Sequence, residues 1–325
     1  MVLEYSREEV IYGIRAAVIT LVLYMIDPLS MLFTVPLHYL GLGNRSRPTL
    51  VLAASASVVA VAVRELIRFR GVPLQDVTLV FFFIGVGIPL MLLVSAALFY
   101  LVYQKRMLYR LMVILASAGL VWIILAARFR SDAALAQRTV ETMASVLGAF
   151  FPEEGSAAAT AMTSRQVAEL SLVFFERGFL AYYMLQFSAG FGIAWELHKR
   201  KRGIRRSLLA GFRVPEWFVY VFLGSWAVNL LDIIVGLGFL GIIGWNVGLA
   251  SAMIYMLQGM AVLRHWLSRK RGIPVSGLRV AGLLALVMLV PGFNMIALTA
   301  LAIVGVTEIW ITYRKEEGVI HESDS

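Results

Sequence analysis

Two long apolar runs, set back to back and fenced by basic clusters, constrain this chain more than any other feature. The cluster Lys199-Arg200-Lys201-Arg202-Gly203-Ile204-Arg205-Arg206 precedes them and Arg269-Lys270-Arg271 follows. The runs themselves read WFVYVFLGSWAVNLLDIIVGL (217–237) and FLGIIGWNVGLASAMIYMLQGMAVL (239–263). As a helix, each is long enough to cross ~30 Å of hydrocarbon. Positive charge on both flanks and almost none at the turn predicts a hairpin whose flanks face the cytoplasm.

The remainder of the chain agrees with a membrane setting. Of its 325 residues 60% are hydrophobic and 15% charged, with a mean hydropathy of +0.82. A soluble domain carries about a quarter charged residues, so several spans are required. The net charge of +9 raises nucleic acid as a partner. Lys and Arg sit, however, in short loops beside apolar runs, which is the positive-inside arrangement, and no nucleic acid is expected. The absence of cysteine removes disulfides, thiolate nucleophiles and Cys-ligated metals. The opening MVLEYSREEVIYGIRAAVITLVLY has mixed charge and no small-residue cleavage site, so it reads as a retained first span.

Taken in order, the run Val10–Ile26 ends at Asp27-Pro28, and a second run, Leu29–Leu42, contains Pro36. Proline removes a backbone donor and clashes with the preceding turn, which predicts a short hairpin or a broken helix over 10–42. Thr49–Val63 is the next span, followed by Arg64, Arg68, Arg70 and Gly71-Val72-Pro73. Val77–Tyr103 is long for one crossing, so it tilts or carries an irregularity at Gly85–Gly87. Lys105, Arg106 and Arg110 precede the span Met112–Ala127.

Hydropathy falls over 128–168, where Val140, Met143, Val146, Leu147 and Phe150 recur at helical spacing. That predicts an amphipathic helix over 132–150 in an extracytoplasmic insert, either lying on the membrane or closing over a cavity. Leu170–Trp195, the central hairpin and Gly277–Tyr313, broken at Pro291-Gly292, complete the chain.

The expected fold is all-α. It is a polytopic membrane helical bundle of eight to ten transmembrane or half-membrane helices in a bacterial inner membrane, contacting membrane lipid. One integral domain covers 1–315 with both termini cytoplasmic, and 316–325 form a polar cytoplasmic tail. This scheme sends Arg64, Arg68 and Arg70 outside, against the positive-inside trend. Gly-Val-Pro after Arg70 and Gly-Ile-Pro after Arg271 hint at a duplicated unit.

Polar groups inside apolar runs are the informative positions, because each costs free energy unless paired or hydrated. Ser225, Asn229 and Asp232 share one helical face. Gly244, Gly248, Ser251, Tyr255 and Gln258 form a second stripe, and Glu176, Tyr183, Gln186 and Gly190 a third. Two readings are open: packing faces, with Gly244-x-x-x-Gly248 as a helix-contact motif, or the lining of a solute cavity. Glu308 and Arg314 are expected to form an interfacial ion pair. His198 and His265, beside basic loops, are expected in solvent or against lipid headgroups.

No metal spacing, no Gly-x-x-x-x-Gly-Lys loop and no Gly-x-Ser-x-Gly elbow occurs. Neither a cofactor nor catalytic residues are expected, and ATP-driven work would need a separate ATPase.

The stretches YGIRAAVITLVLY, PLHYLGLGNRSR (36–47), FRVPEW (212–217), MIYMLQGMAVLRHWL (253–267) and GVTEIWITYRK (305–315) resemble the YybS-like family of bacterial membrane proteins. Family members tend to end Gly-x-x-Asp-x-Trp, where this chain has Glu308 before Trp310. The family is distantly similar to substrate-binding components of energy-coupling-factor transporters, and more loosely to MreD-like morphogenesis proteins. The first similarity implies transport-related small-molecule binding beside a coupling subunit and an ATPase, with Gly13 and Ala17 as a small-residue partner face. The second implies an envelope-assembly scaffold, with Lys199, Arg200, Lys201, Arg202, Arg205 and Arg206 binding anionic lipid or a partner protein.

Overall fold

The computed structural model describes residues 6–43, 46–70, 79–102, 106–150, 163–203, 211–271 and 293–314. Among them all regular structure is helical and no strand occurs. The elements begin with α1 (Arg7–Met25), a 3-10 helix (Asp27–Leu32), α2 (Val35–Leu42) and α3 (Arg47–Arg68). α4 (Leu79–Phe82), a π turn (Phe83–Gly87) and α5 (Ile88–Leu101) form one continuous stretch. α6 (Met107–Ser131), α7 (Ala133–Phe150), α8 (Ser164–Arg202), α9 (Phe218–Val235), α10 (Phe239–Arg271) and α11 (Phe293–Thr307) follow.

Among the described residues, five helices are long and apolar enough to cross a membrane: Arg47–Arg68, Phe83–Leu101, Met107–Ser131, Phe218–Val235 and Phe239–Arg269. The expected spans Val10–Ile26 and Leu170–Trp195 are helical but fall outside these five. α1 brings Glu8, Glu9 and Arg15 into its length, and the central stretch of α8 is interrupted by Glu176, Arg177 and Gln186.

Local chemistry sets the breaks. Ser6 and Glu9 make a capping box at the start of α1, and Thr163 and Gln166 make another at α8. Pro28 and Pro36 each sit at the first turn of a new helix, so 10–42 is a broken helix rather than a straight one. The irregularity expected at Gly85–Gly87 is the π turn, and the amphipathic helix expected over 132–150 is α7. Gly203, at φ 64°, ends α8 in the left-handed conformation that glycine adopts without strain. The Gly71-Val72-Pro73 and Gly-Ile-Pro turns, 151–162 of the insert, Arg205, Arg206, 277–292 and the tail lie outside the described residues.

The chain gathers into two compact units, one of Met1–Ile204 with Trp226–Leu249, the other of Arg205–Ser225 with Ala250–Ser325.

In the first unit α1 and α3 run in the same direction. Near their starts, a Cβ on Gly13 would lie 3.1 Å from Leu52 Cδ2. Near their ends, the Tyr24 hydroxyl has the Glu65 carboxylate at 3.1 Å and the Gly85 carbonyl of the π turn at 3.0 Å. Glu65 is fully buried, and Arg64 and Arg68 both pair with it. Trp122 of α6 stacks on Phe179 of α8 at 4.6 Å and reaches Phe83 of the π turn at 6.2 Å. His38 of α2 is enclosed by Phe99, Tyr100, Phe187 and Phe191. α7 packs along α8.

The second unit is built on a crossing of α10 and α11 at glycines. A Cβ on Gly259 would overlap the Leu301 carbonyl, and one on Gly305 the Tyr255 carbonyl, so the two backbones touch.

Candidate functional site

In the second unit, residues 212–214 precede α9 and have no helical partners, so their backbone groups need others. Two side chains supply them. Gln258 of α10 accepts from the Val214 N–H at 2.6 Å and donates from Nε2 to the Gly305 carbonyl at 2.9 Å. That carbonyl lies in the last turn of α11, where helical acceptors run out of donors.

Arg314 does the corresponding work on the other side. It holds Glu308 with two bonds, 2.6 Å from Nε and 2.8 Å from Nη2, and Nη2 also donates to the Phe212 carbonyl at 2.9 Å. Arg213 in turn donates to the Arg314 carbonyl at 3.3 Å. The side chains of Arg314 and Glu308 are only 7% and 5% exposed, so the expected ion pair forms but as a buried clamp. A two-bond guanidinium–carboxylate pair is strong and geometrically demanding there.

Between these anchors lies a cleft of about 210 Å³, lined by Arg213, Val214, Glu216, Gln258, Glu308, Ile309 and Thr312. Arg213, Glu216 and Thr312 are exposed. Among the described residues no ion pair joins Arg213 to Glu216. Trp217 and Trp310, next in sequence to two lining residues, are 41% and 66% exposed.

Of the stripe residues, Gln258 alone lines this cleft. Its neighbours in the second unit serve packing: Tyr255 is fully buried against Phe218 and Phe222, Ser251 is buried, and the Ser225 hydroxyl donates to the Phe222 carbonyl of its own helix.

In the first unit Asp232 pairs with Arg177 at 3.3 Å, and Glu176 with Arg130 at 3.8 Å. The two carboxylates are thus met by separate arginines. α9 and α10 approach closely there, because a Cβ on Gly241 would overlap the Asp232 carboxylate and one on Gly244 would lie 2.7 Å from Asn229 Oδ1. Asn246 extends the belt, accepting from the Leu180 N–H at 2.9 Å and donating to the Glu176 carbonyl at 2.6 Å. Tyr183 is fully buried and shares a 2.6 Å hydrogen bond with Ser95 of α5, while Gln186 donates to the Tyr182 hydroxyl. A Cβ on Gly190 would overlap Thr34 Oγ1.

Gly13 and Ala17 are covered by α3 inside the first unit rather than presented to a partner. Lys199 and Arg200 pair with Glu196, and Lys201 and Arg202 are exposed on the last turn of α8. His198 is a correction to the expectation: it is buried at 7% exposure with its ring on Tyr39, not solvated.

Arg213, Glu216 and Thr312 escape a search confined to polar groups inside apolar runs, because they lie in a loop and beyond a helix end. A signal existed nonetheless, since FRVPEW, MIYMLQGMAVLRHWL and GVTEIWITYRK supply all seven lining residues. Compared with protein-family models, curated proteins and solved structures, the chain matches none.

Proposed function

We propose that this is a multi-pass bacterial inner-membrane protein of the YybS-like family that binds a small polar solute for transport, with energy from a separate coupling subunit and ATPase. The observation behind the reading is the second unit's cleft, where three stretches distant in sequence bring charged and polar side chains around about 210 Å³. Binding sites for small molecules combine such a concavity with a few fixed polar groups.

The proposed topology keeps both termini, Arg202 and Arg271 cytoplasmic, with the cleft at the cytoplasmic end. It rests on the Lys and Arg clusters at 199–206 and 269–271, which the positive-inside trend places in the cytoplasm. On the ends it sends outward, Arg64, Arg68, Arg128, Arg130, Arg165 and Arg177 each lie no more than 4.0 Å from a carboxylate.

The test is native mass spectrometry of the purified chain beside Thr312→Phe, which fills the cleft. Wild type should retain a small molecule that the variant loses, and should co-purify with an ATPase. Co-purification of envelope-assembly proteins, with no small molecule on either protein, would favour an MreD-like scaffold instead.

A further inference from the structure

We infer that the cleft takes an amphoteric ligand, its anionic group on Arg213 and its ammonium group on Glu216. That chemistry is shared by a phosphoethanolamine lipid headgroup and a free amino acid. The inference rests on the reading of the cleft as a binding site and goes on to name the ligand class.

It follows from which polar groups around the cleft are already engaged. Both oxygens of Glu308 are held by Arg314, and both ends of the Gln258 amide are bonded to backbone. Arg213 uses Nη2 on the Arg314 carbonyl, which leaves most of its five N–H donors for an incoming group. The Glu216 carboxylate and the Thr312 hydroxyl have no partner among the described residues, and both line the cleft.

The groups left to recognise a ligand are thus one cation, one anion and one hydroxyl. Val214 and Pro215 separate the two charged residues; Val214 is tied to Gln258, and proline fixes its own φ, so their backbone spacing is held. Both charges are exposed, so the choice is made where a bound ligand displaces their water: there a simple anion would leave Glu216 unanswered, a simple cation would leave Arg213, and a neutral sugar would leave both. A ligand with both charges satisfies the pair.

Depth is consistent with either source. Exposed Trp217 and Trp310 flank the cleft, and tryptophan collects at the membrane–water interface, which lipid headgroups and solutes both reach.

The experiment uses the full chain in nanodiscs, titrated with phosphoethanolamine, glycine, ethanolamine and inorganic phosphate, and separately with a phosphatidylethanolamine/phosphatidylglycerol mixture. Phosphoethanolamine or glycine should bind at least about tenfold more tightly than ethanolamine or phosphate. Glu216→Gln should weaken that binding by about tenfold with the unfolding midpoint unchanged, as expected when one of two charged contacts is lost. Arg213→Lys should weaken it by a similar factor while also lowering the midpoint slightly through loss of the bond to the Arg314 carbonyl. Selective retention of phosphatidylethanolamine identifies the lipid as the source, and free glycine binding without lipid selection identifies a solute. Phosphate binding as tightly, with no effect of Glu216→Gln, overturns the amphoteric assignment while leaving an anion site. Absence of binding by every probe overturns the reading of the cleft itself.

Discussion

Gly259 of α10 and Gly305 of α11 meet backbone to backbone, and Gln258 beside the contact donates to the Gly305 carbonyl. No side chain can be added at either glycine without moving a main chain. Gly259→Ala should therefore cost about 1–3 kcal/mol, the range for overpacking. Gly192→Ala is the control, because nothing lies within 4 Å of a Cβ there. In the middle of α8 it should be neutral or stabilising by up to about 1 kcal/mol, since alanine is the better helix former. Thermal unfolding in detergent separates the two.

Glu308 and Arg314 are buried together, so removing one charge strands the other. Glu308→Gln should lose about 3–5 kcal/mol, the usual cost of breaking a buried pair from one side. Glu308→Asp should fall between Gln and wild type because the shorter carboxylate cannot keep both bonds. Release of Phe212 should also expose the chain after Arg213 to trypsin. Unchanged cleavage in Glu308→Gln would mean the clamp does not hold that segment.

Arg177 is 40% exposed at its side chain while Asp232 is 5% exposed, so their pair sits between a surface bridge and a buried one. Asp232→Asn should cost more than the ~0.2–1 kcal/mol of exposed pairs and less than the ~3–5 kcal/mol of buried ones. The double variant Asp232→Asn/Arg177→Gln should recover part of that loss. Strict additivity would show the pair to be energetically idle.

Burial against Tyr39, with Arg202 and Lys201 nearby, holds the His198 imidazole below its ordinary range. Its folded pKa is depressed, so the folded chain takes up a proton less readily than the unfolded one. Stability from this site is complete above about pH 6.5 and falls as the pH drops below it. His198→Gln should flatten the dependence of the unfolding midpoint between pH 7.5 and 5, and an identical slope in both proteins would contradict it.

Much of the fold was legible wherever the signal was local. Pro28 and Pro36 break a helix by covalent geometry, Gly85 and Gly87 mark the π turn, and the spacing from Val140 to Phe150 gives α7. The pairs of Glu65 with Arg64 and Arg68 are local, one and three positions apart, whereas the burial of Glu65 beneath Tyr24 depends on α1 and α3 lying parallel. The same holds for the site. Arg314 and Glu308 are six positions apart and readable as a pair, but Gln258 reaches Val214 over 44 positions and Gly305 over 47. No periodicity encodes that meeting; only the contact of Gly259 with Gly305 creates it.

The chain contains no cysteine, so a single one can be placed at will. Thr312→Cys puts a thiol on the wall of the cleft. A membrane-impermeant maleimide should label it in inverted membrane vesicles and not in intact cells, and bound phosphoethanolamine or glycine should slow that labelling. Labelling from the outer side, or a rate no ligand affects, would contradict a ligand-binding cleft open to the cytoplasm.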